Sequence, residues 1–349
     1  MKTSNLTRTF NYLLAVLTMF LASMPSGVMM ATTVTTTALN ASYQAMYADG
    51  SKGLADLRAQ VFFGAEFDQL FTPVRTNLTT YRKAISHSTS STQAGQVAFT
   101  PNGSFSFTPA ETPLFWVKDD HKFSAVSMRA TWLGSLYEVG KDAADQSFSK
   151  YILENHCVPQ HIEDVELNGC YAGVFVTPTP GVSGAVGAMM DGFKKTLNAK
   201  ITATTITPIT TGTIPTGAVD FVTYVEEFWK QVNKRDWKRP MTLAMSADAE
   251  QLFKEGMQLK YNSQYRDTDM LNKLKHFPNV TVSGQIAMGS STKMFASPKD
   301  NLVHPYNPGA TAVYQFEVED RSLKVWHDRE TGYGTHDDSR VYTNSEELV

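Results

Sequence analysis

Cysteine is nearly missing. The 349 residues hold only Cys157 and Cys170, so no disulfide framework supports the chain, and its stability must come from an ordinary hydrophobic core. Charge of one sign is missing too: 31 Lys and Arg stand against 34 Asp and Glu, a net charge of −3. That balance excludes a broadly basic nucleic-acid binder and a disordered acidic chain, while leaving room for a protein that touches nucleic acid on one face. Past the N-terminus no apolar run is long enough for a transmembrane helix. What remains, 42% hydrophobic and 19% charged residues, is a globular composition with length for two or three subdomains.

Catalytic and cofactor signatures are equally scarce. Cys157 and His161 stand four apart, as ligands on one helical face can, with His156 and Cys170 nearby. Structural zinc takes two tight ligand pairs, and Cys170 has no close sequence partner, so a helix face carrying His and Cys is the expected reading and no metal site is assigned. A Cys157–Cys170 disulfide would join residues of one long helix, too far apart unless Pro159 or Gly169 breaks it. "GVSGAVG", Gly181–Gly187, fits neither phosphate-binding glycine pattern nor the serine elbow, and reads as a flexible loop. His121, His276, His304 and His327 fall among turns and strand ends without a paired carboxylate and nucleophile. The expectation is a protein without catalytic, cofactor-binding or metal residues, and not an enzyme.

At the N-terminus, Lys2 and Arg8 precede "YLLAVLTMFLA", Tyr12–Ala22, the layout of a signal-peptide core. No clean cleavage site follows, and Met29 and Met30 are plausible starts, so residues 1–30 read as a signal or as a disposable segment or over-extended start. Ala31–Asn40 is Thr-rich and uncharged and predicts an extended arm. Leu54, Leu57, Val61 and Phe62 have helical spacing before Gly64. Ser86–Val97 reads as a polar loop.

"FTPNGSFSFTP", Phe99–Pro109, offers an Asn102-Gly103 turn and alternating Phe105 and Phe107, and "LFWVKDDHKFSAV" follows with Phe115 and Trp116. Together they predict a projecting two-stranded ribbon whose aromatics it cannot bury. Ser147–Cys170 has helix spacing interrupted by Pro159, so one kinked helix or two are expected. Tyr171–Val176 reads as a short strand. Ala218, Phe221, Val222, Val225, Phe228, Trp229 and Val232 mark the cleanest helix. After it come the strand "MTLAM", the N-cap Ser246 and the helix "ADAEQLFKEGMQLKY", an α/β unit. Gln315–Glu319 alternates as a half-buried strand. "MFASPKDNLVHPYN", Met294–Asn307, reads as strand, turn and strand.

Five stretches in this order, "FTPNGSFSFTPAETPLFWVKDDHKFS", "ATWLGSLY", "FSKYILENHCVPQHIEDVELNGCYAGVFVTPTPGVSGAVGAMMDGFKK", "PMTLAMSADAEQLFK" and "MFASPKDNLVH", together resemble the major capsid proteins of tailed bacteriophages with the Hong Kong 97-like fold. The resemblance implies an α+β architecture. Residues 31–80 would form an N-terminal arm and lead-in, and residues 81–128 an extended β-loop. Residues 129–200 with 312–349 would build a peripheral domain on a long spine helix, and residues 201–311 an axial α/β domain. The Ser297–Asn301 turn would carry the chain out of the axial domain. It further implies a structural subunit that self-assembles through pentamers and hexamers into an icosahedral head in the virion, with Phe105, Phe107, Phe115 and Trp116 at subunit contacts. Portal, scaffold and maturation protease are the implied partners, with double-stranded DNA enclosed and touched non-specifically. The alternative from residues 1–30 is a secreted or cell-envelope protein, periplasmic or extracellular.

Overall fold

A computed structural model of the chain describes residues 35–48, 51–89, 92–124, 127, 130–132, 147–261, 271–307, 313–319 and 322–347. The signal-like segment lies outside the described residues. Helices and sheets are mixed along the chain, giving an α+β architecture, and the chain divides into two compact units.

The first unit draws on the chain up to Leu54, on Asp120–Cys157 and on Gln315–Trp326. Here the Thr-rich lead-in departs from expectation: Thr36–Met46 is a helix, α1, and not an extended arm. Two local facts outweigh weak propensity. The Thr35 hydroxyl accepts from the Ala38 N–H at 3.2 Å as N-cap, and Leu39 and Tyr43, four apart, turn one buried face inward. Tyr43 meets Phe316 with ring centroids 5.6 Å apart, Ser42 and Ser149 share a hydroxyl contact at 2.7 Å, and the Val318 N–H donates to Thr36 Oγ1 at 2.7 Å.

The second unit contains α2 (Lys52–Phe63) from Ala55 onward, and strands β1 (Thr72–Arg75), β2 (Thr80–Ser88), β3 (Phe105–Pro113) and the start of β4 (Phe115–Ser124). The run read as one long helix is helical from Phe148 to Gly169, but irregular. It consists of α3 (Phe148–Ile152), a π turn (Leu153–Cys157), α4 (Val158–Asp164) and a second π turn (Val165–Gly169). Pro159 has no N–H to give, and the widened turn just before it absorbs the missing bond without ending the helix. Cys157 and Cys170 are both buried and are not joined in a disulfide. Tyr171–Val176 is not a strand. It is tied by isolated bonds, Val174 N–H to Gly187 O at 2.9 Å and Val176 N–H to Ala188 O at 3.2 Å.

After α5 (Phe193–Thr202) and a Thr-rich connector over residues 203–217 comes α6 (Ala218–Gln231), then β5 (Met241–Ser246) and α7 (Ala247–Tyr261). Of the positions named for the α6 face, all but the half-buried Ala218 are buried. Ser246 Oγ accepts from the Ala249 N–H at 3.3 Å, which begins α7 where the sequence indicated. Gly256 of α7 is set by packing: a Cβ there would stand 2.0 Å from the Ala218 carbonyl of α6. These helices cover a five-stranded sheet in which β5 and β7 (Phe277–Gln285) are parallel neighbours. It includes the short β6 (Lys273–Leu274), β8 (Phe295–Ser297) and β13 (Tyr342–Thr343). The tail thus reaches the sheet that the sequence reading gave to residues 201–311 alone.

Met294–Asn307 is strand, turn and strand, but the two strands serve different sheets. β8 belongs to the five-stranded one, while β9 (Leu302–Asn307) pairs with β1 in parallel and with β11 (Ser322–Thr331) and β12 (Gly334–Thr335). The 3₁₀ turn Lys299–Asn301 is the crossover. Buried Asn301 holds it: its amide donates to Ser297 Oγ at 2.9 Å and to the Asp337 carbonyl at 2.8 Å, and its oxygen accepts the Asp337 N–H at 2.6 Å. The core forms two clusters, with Phe67, Phe71, Phe193, Phe295 and Tyr333 in the first and Phe221, Trp229, Leu243, Phe253 and Val282 in the second.

Candidate assembly surface

The ribbon exists, built from other strands than the sequence suggested. β3 pairs antiparallel with β2 over nine positions, from Thr80↔Pro113 to Ser88↔Phe105. β4 joins β11 in the large sheet instead. A hairpin closed at Asn102-Gly103 would have paired Phe99–Pro109 with itself. The sixteen-residue span between Ser88 and Phe105 instead brings back Thr80–Ser88, a polar strand whose alternation carries no apolar signal.

Strand alternation settles which side chains share a face. Ser86 faces Phe107 and Ser88 faces Phe105, so one face carries both rings, with Pro109 and Ala84 behind them and only serine hydroxyls opposite. Phe105 and Phe107 are 72% and 73% exposed. Phe99, in the connecting span, is 94% exposed. Nearer the root, Arg82 Nε meets Glu111 Oε1 at 3.0 Å, and at the root the structure tightens. Thr112 is buried, and a Cβ on Gly334 would stand 2.0 Å from its hydroxyl. The ribbon is therefore anchored at one end and bare along the other.

Phe115 and Trp116 lie past the root, on β4. Phe115 is half-buried, packs on the first cluster, and its ring stands 5.0 Å from Phe175. Trp116 is 69% exposed, and its indole N–H donates to Asp328 Oδ1 at 3.1 Å. Of the four sequence-chosen residues, the structure places Phe105 and Phe107 together, Trp116 exposed elsewhere and Phe115 partly inside. A further set of exposed valines lies nearby in sequence, Val174 and Val176 in the Tyr171–Val176 stretch and Val182 and Val186 in the Gly181–Gly187 loop. It was missed because no periodicity marks it.

Beneath this surface the second unit buries a polar network. Tyr333 OH donates to Asp68 Oδ1 at 2.5 Å, His304 Nδ1 stands 3.2 Å from the same oxygen, and His304 Nε2 lies 2.5 Å from Thr331 Oγ1. His161 Nδ1 stands 3.5 Å from Asp119 Oδ2, and the His161 and His327 rings are 5.7 Å apart. His327 Nδ1 meets the Val313 carbonyl at 2.5 Å, and Arg329 Nη1 donates to the Val61 carbonyl. Burial pushes His327 down to about 3, helped by His161 and Arg329. Burial and Arg329 also lower His161, against the opposing pull of Asp119. Sequence motifs missed this group, yet the period of two in β11 puts His327, Arg329 and Thr331 on the same face as Leu323 and Val325. Among the described residues no group of three His, Cys, Asp or Glu is placed to hold a metal. No described helix is long and apolar enough to cross a membrane.

No family profile matches the sequence, and no curated protein matches it either. Among solved structures, the chain is similar to one from the satellite phage P4 procapsid that includes the size determination (Sid) protein. That likeness has a TM-score of 0.56 and 12% identity, over 98% of this chain and 97% of the other. It is also similar to a chain of the capsid of Myoviridae phage XM1, with a TM-score of 0.47 and 11% identity over 77% and 86%. For a chain of the capsid of an empty GTA particle the values are 0.46 and 10% over 80% and 95%. The P4 likeness leaves almost nothing of either chain unmatched. The chain has the Hong Kong 97-like α+β fold, that of a phage capsid subunit.

Proposed function

We propose that this protein is the major capsid subunit of a phage head, a structural protein that assembles with copies of itself into an icosahedral shell around double-stranded DNA. The observation that carries the proposal is the fold likeness to a procapsid chain across nearly the full length of both. The bare aromatic face of the ribbon supports it. Phe105 and Phe107, with Trp116 on β4, are large apolar groups that the subunit leaves exposed and a neighbour would bury. Phe115 holds the base of that surface against Phe175. Closed shells repeat such contacts many times, so each one can be weak. A portal, a scaffold and a maturation protease complete the proposed set of partners, and the virion is the proposed location. No observation on the described residues favours the secreted alternative.

Size-exclusion chromatography and negative-stain electron microscopy of the purified chain test this. Pentamers, hexamers or shells are expected. A strictly monomeric protein at high concentration, with and without scaffold or DNA, overturns the reading.

A further inference from the structure

The ten residues Lys230–Arg239 carry five cationic side chains, Lys230, Lys234, Arg235, Lys238 and Arg239, all exposed. The one carboxylate among them is buried and occupied. Asp236 accepts from Tyr342 OH at 2.7 Å, and stands 3.3 Å from Arg239 Nε and 3.8 Å from Arg340 Nη2. Among the described residues no carboxylate pairs with Lys230, Lys234, Arg235 or Lys238. The lysines of α5 differ, since Lys194, Lys195 and Lys200 are matched by Glu347, Asp191 and Asp338.

The backbone that presents these cations is fixed. Asp236 N–H donates to Asn233 O at 2.8 Å, Arg239 N–H to Asp236 O at 3.0 Å, and the Trp237 indole N–H to Val232 O at 2.9 Å. Asn279 Nδ2 donates to Lys238 O at 3.1 Å, and the Trp237 and Phe277 rings meet at 5.1 Å. Those two contacts set the exposed Lys275 and His276, in the β6–β7 turn, beside the basic turn. A chain of net charge −3 thus concentrates unneutralised positive charge on one rigid surface, where a polyanion gains most.

We propose that this turn binds the phosphate backbone of double-stranded DNA without reading its bases, and for its biological setting this rests on the capsid reading. A backbone partner fits because the surface offers closely spaced point charges, while its tryptophan is not free to stack on a base. Trp237 is half-buried, its N–H is taken and its ring is covered by Phe277. The exposed carboxylates Asp220, Glu227, Asp248 and Glu255 make a second copy of this chain the competing occupant, and binding of poly-glutamate is the outcome that would reveal it.

The test is fluorescence anisotropy of the full chain with a short random-sequence duplex, titrated with salt between about 50 and 200 mM. The expected plot of log affinity against log salt is linear. Its slope should shrink by about 0.9 for each phosphate contact removed in Lys234→Ala/Arg235→Ala/Lys238→Ala. The charge-preserving Lys234→Arg/Arg235→Lys/Lys238→Arg should keep the slope, and neither variant should change the melting temperature. An unchanged slope in the alanine variant overturns the proposal, as does a wild-type chain that ignores duplex. Equal or tighter binding of poly-glutamate overturns it in favour of an acidic protein partner, and preference for single strands overturns duplex recognition. Electron microscopy of the same samples separates the two readings. Shells without DNA affinity sink only this one, while salt-dependent DNA binding without shells sinks only the capsid reading.

Discussion

Two single residues carry opposite expectations. Asn301 is buried, and all its side-chain bonds go to the crossover turn and to Asp337. Truncating it leaves the Asp337 N–H and carbonyl without their partner, so Asn301→Ala should cost about 2 kcal/mol or more, read as a lower urea midpoint of the subunit. Trp116 is mostly exposed, and its one bond goes to an exposed side of Asp328. Trp116→Ala should therefore leave subunit melting nearly unchanged while lowering assembly yield, at about 2 kcal/mol per contact if the ring is an interface anchor. Normal shells from a strongly destabilised Trp116→Ala subunit would show that the ring supports the subunit's own fold.

At the scale of elements, the ribbon separates folding from assembly. Its root is locked by Thr112 against Gly334 and its far part makes few contacts with the rest of the subunit, so Phe105→Ser/Phe107→Ser should melt like wild type and fail to assemble. A double variant that still forms shells would place the contacts elsewhere, with the exposed valines of Val174–Val186 the next surface to probe. The elements that the sequence revealed are those whose own residues decide them. α6 announces its buried face at every third or fourth position, and Ser246 announces the start of α7. The elements it concealed are decided by distant partners. β2 has no apolar alternation and becomes a strand because β3 is there to pair with it. Thr36–Met46 becomes helical because Ser149 and Phe316 cover its face. Phe105 and Phe107 were legible as unburied aromatics, whereas the basic turn at Lys230–Arg239 was diluted in a balanced composition and stood out only once Asp236 proved to be buried.

For the molecule as a whole, the buried histidines predict how stability responds to acid. His161 and His327 are held neutral in the fold, the first by burial and Arg329, the second by burial with His161 and Arg329. In the unfolded chain both would titrate near 6.5. Their folded values lie lower, so the unfolded state binds more protons below that pH. Stability is then full above about pH 6.5 and is lost as pH falls, by at most about 1.4 kcal/mol per pH unit for each imidazole. For His327 the loss continues toward its folded value of about 3. Glu347 adds loss in the same direction only below the usual carboxylate range. Burial alone would raise it, but Lys194, the Thr292 N–H and Ser291 hold it at about 2. Glu166 works the other way, since burial raises its carboxyl. His336 joins them, lowered by burial and by Lys83, so the window between about pH 6.5 and 5 belongs chiefly to these three imidazoles. Chemical denaturation at several pH values across that window should show the slope, and His327→Gln, which removes one of three titrating rings, should reduce it by roughly a third. The readout is the slope and not the absolute stability, so a variant that is weaker at every pH still decides the question. An undiminished slope in His327→Gln would mean that other groups carry the acid response.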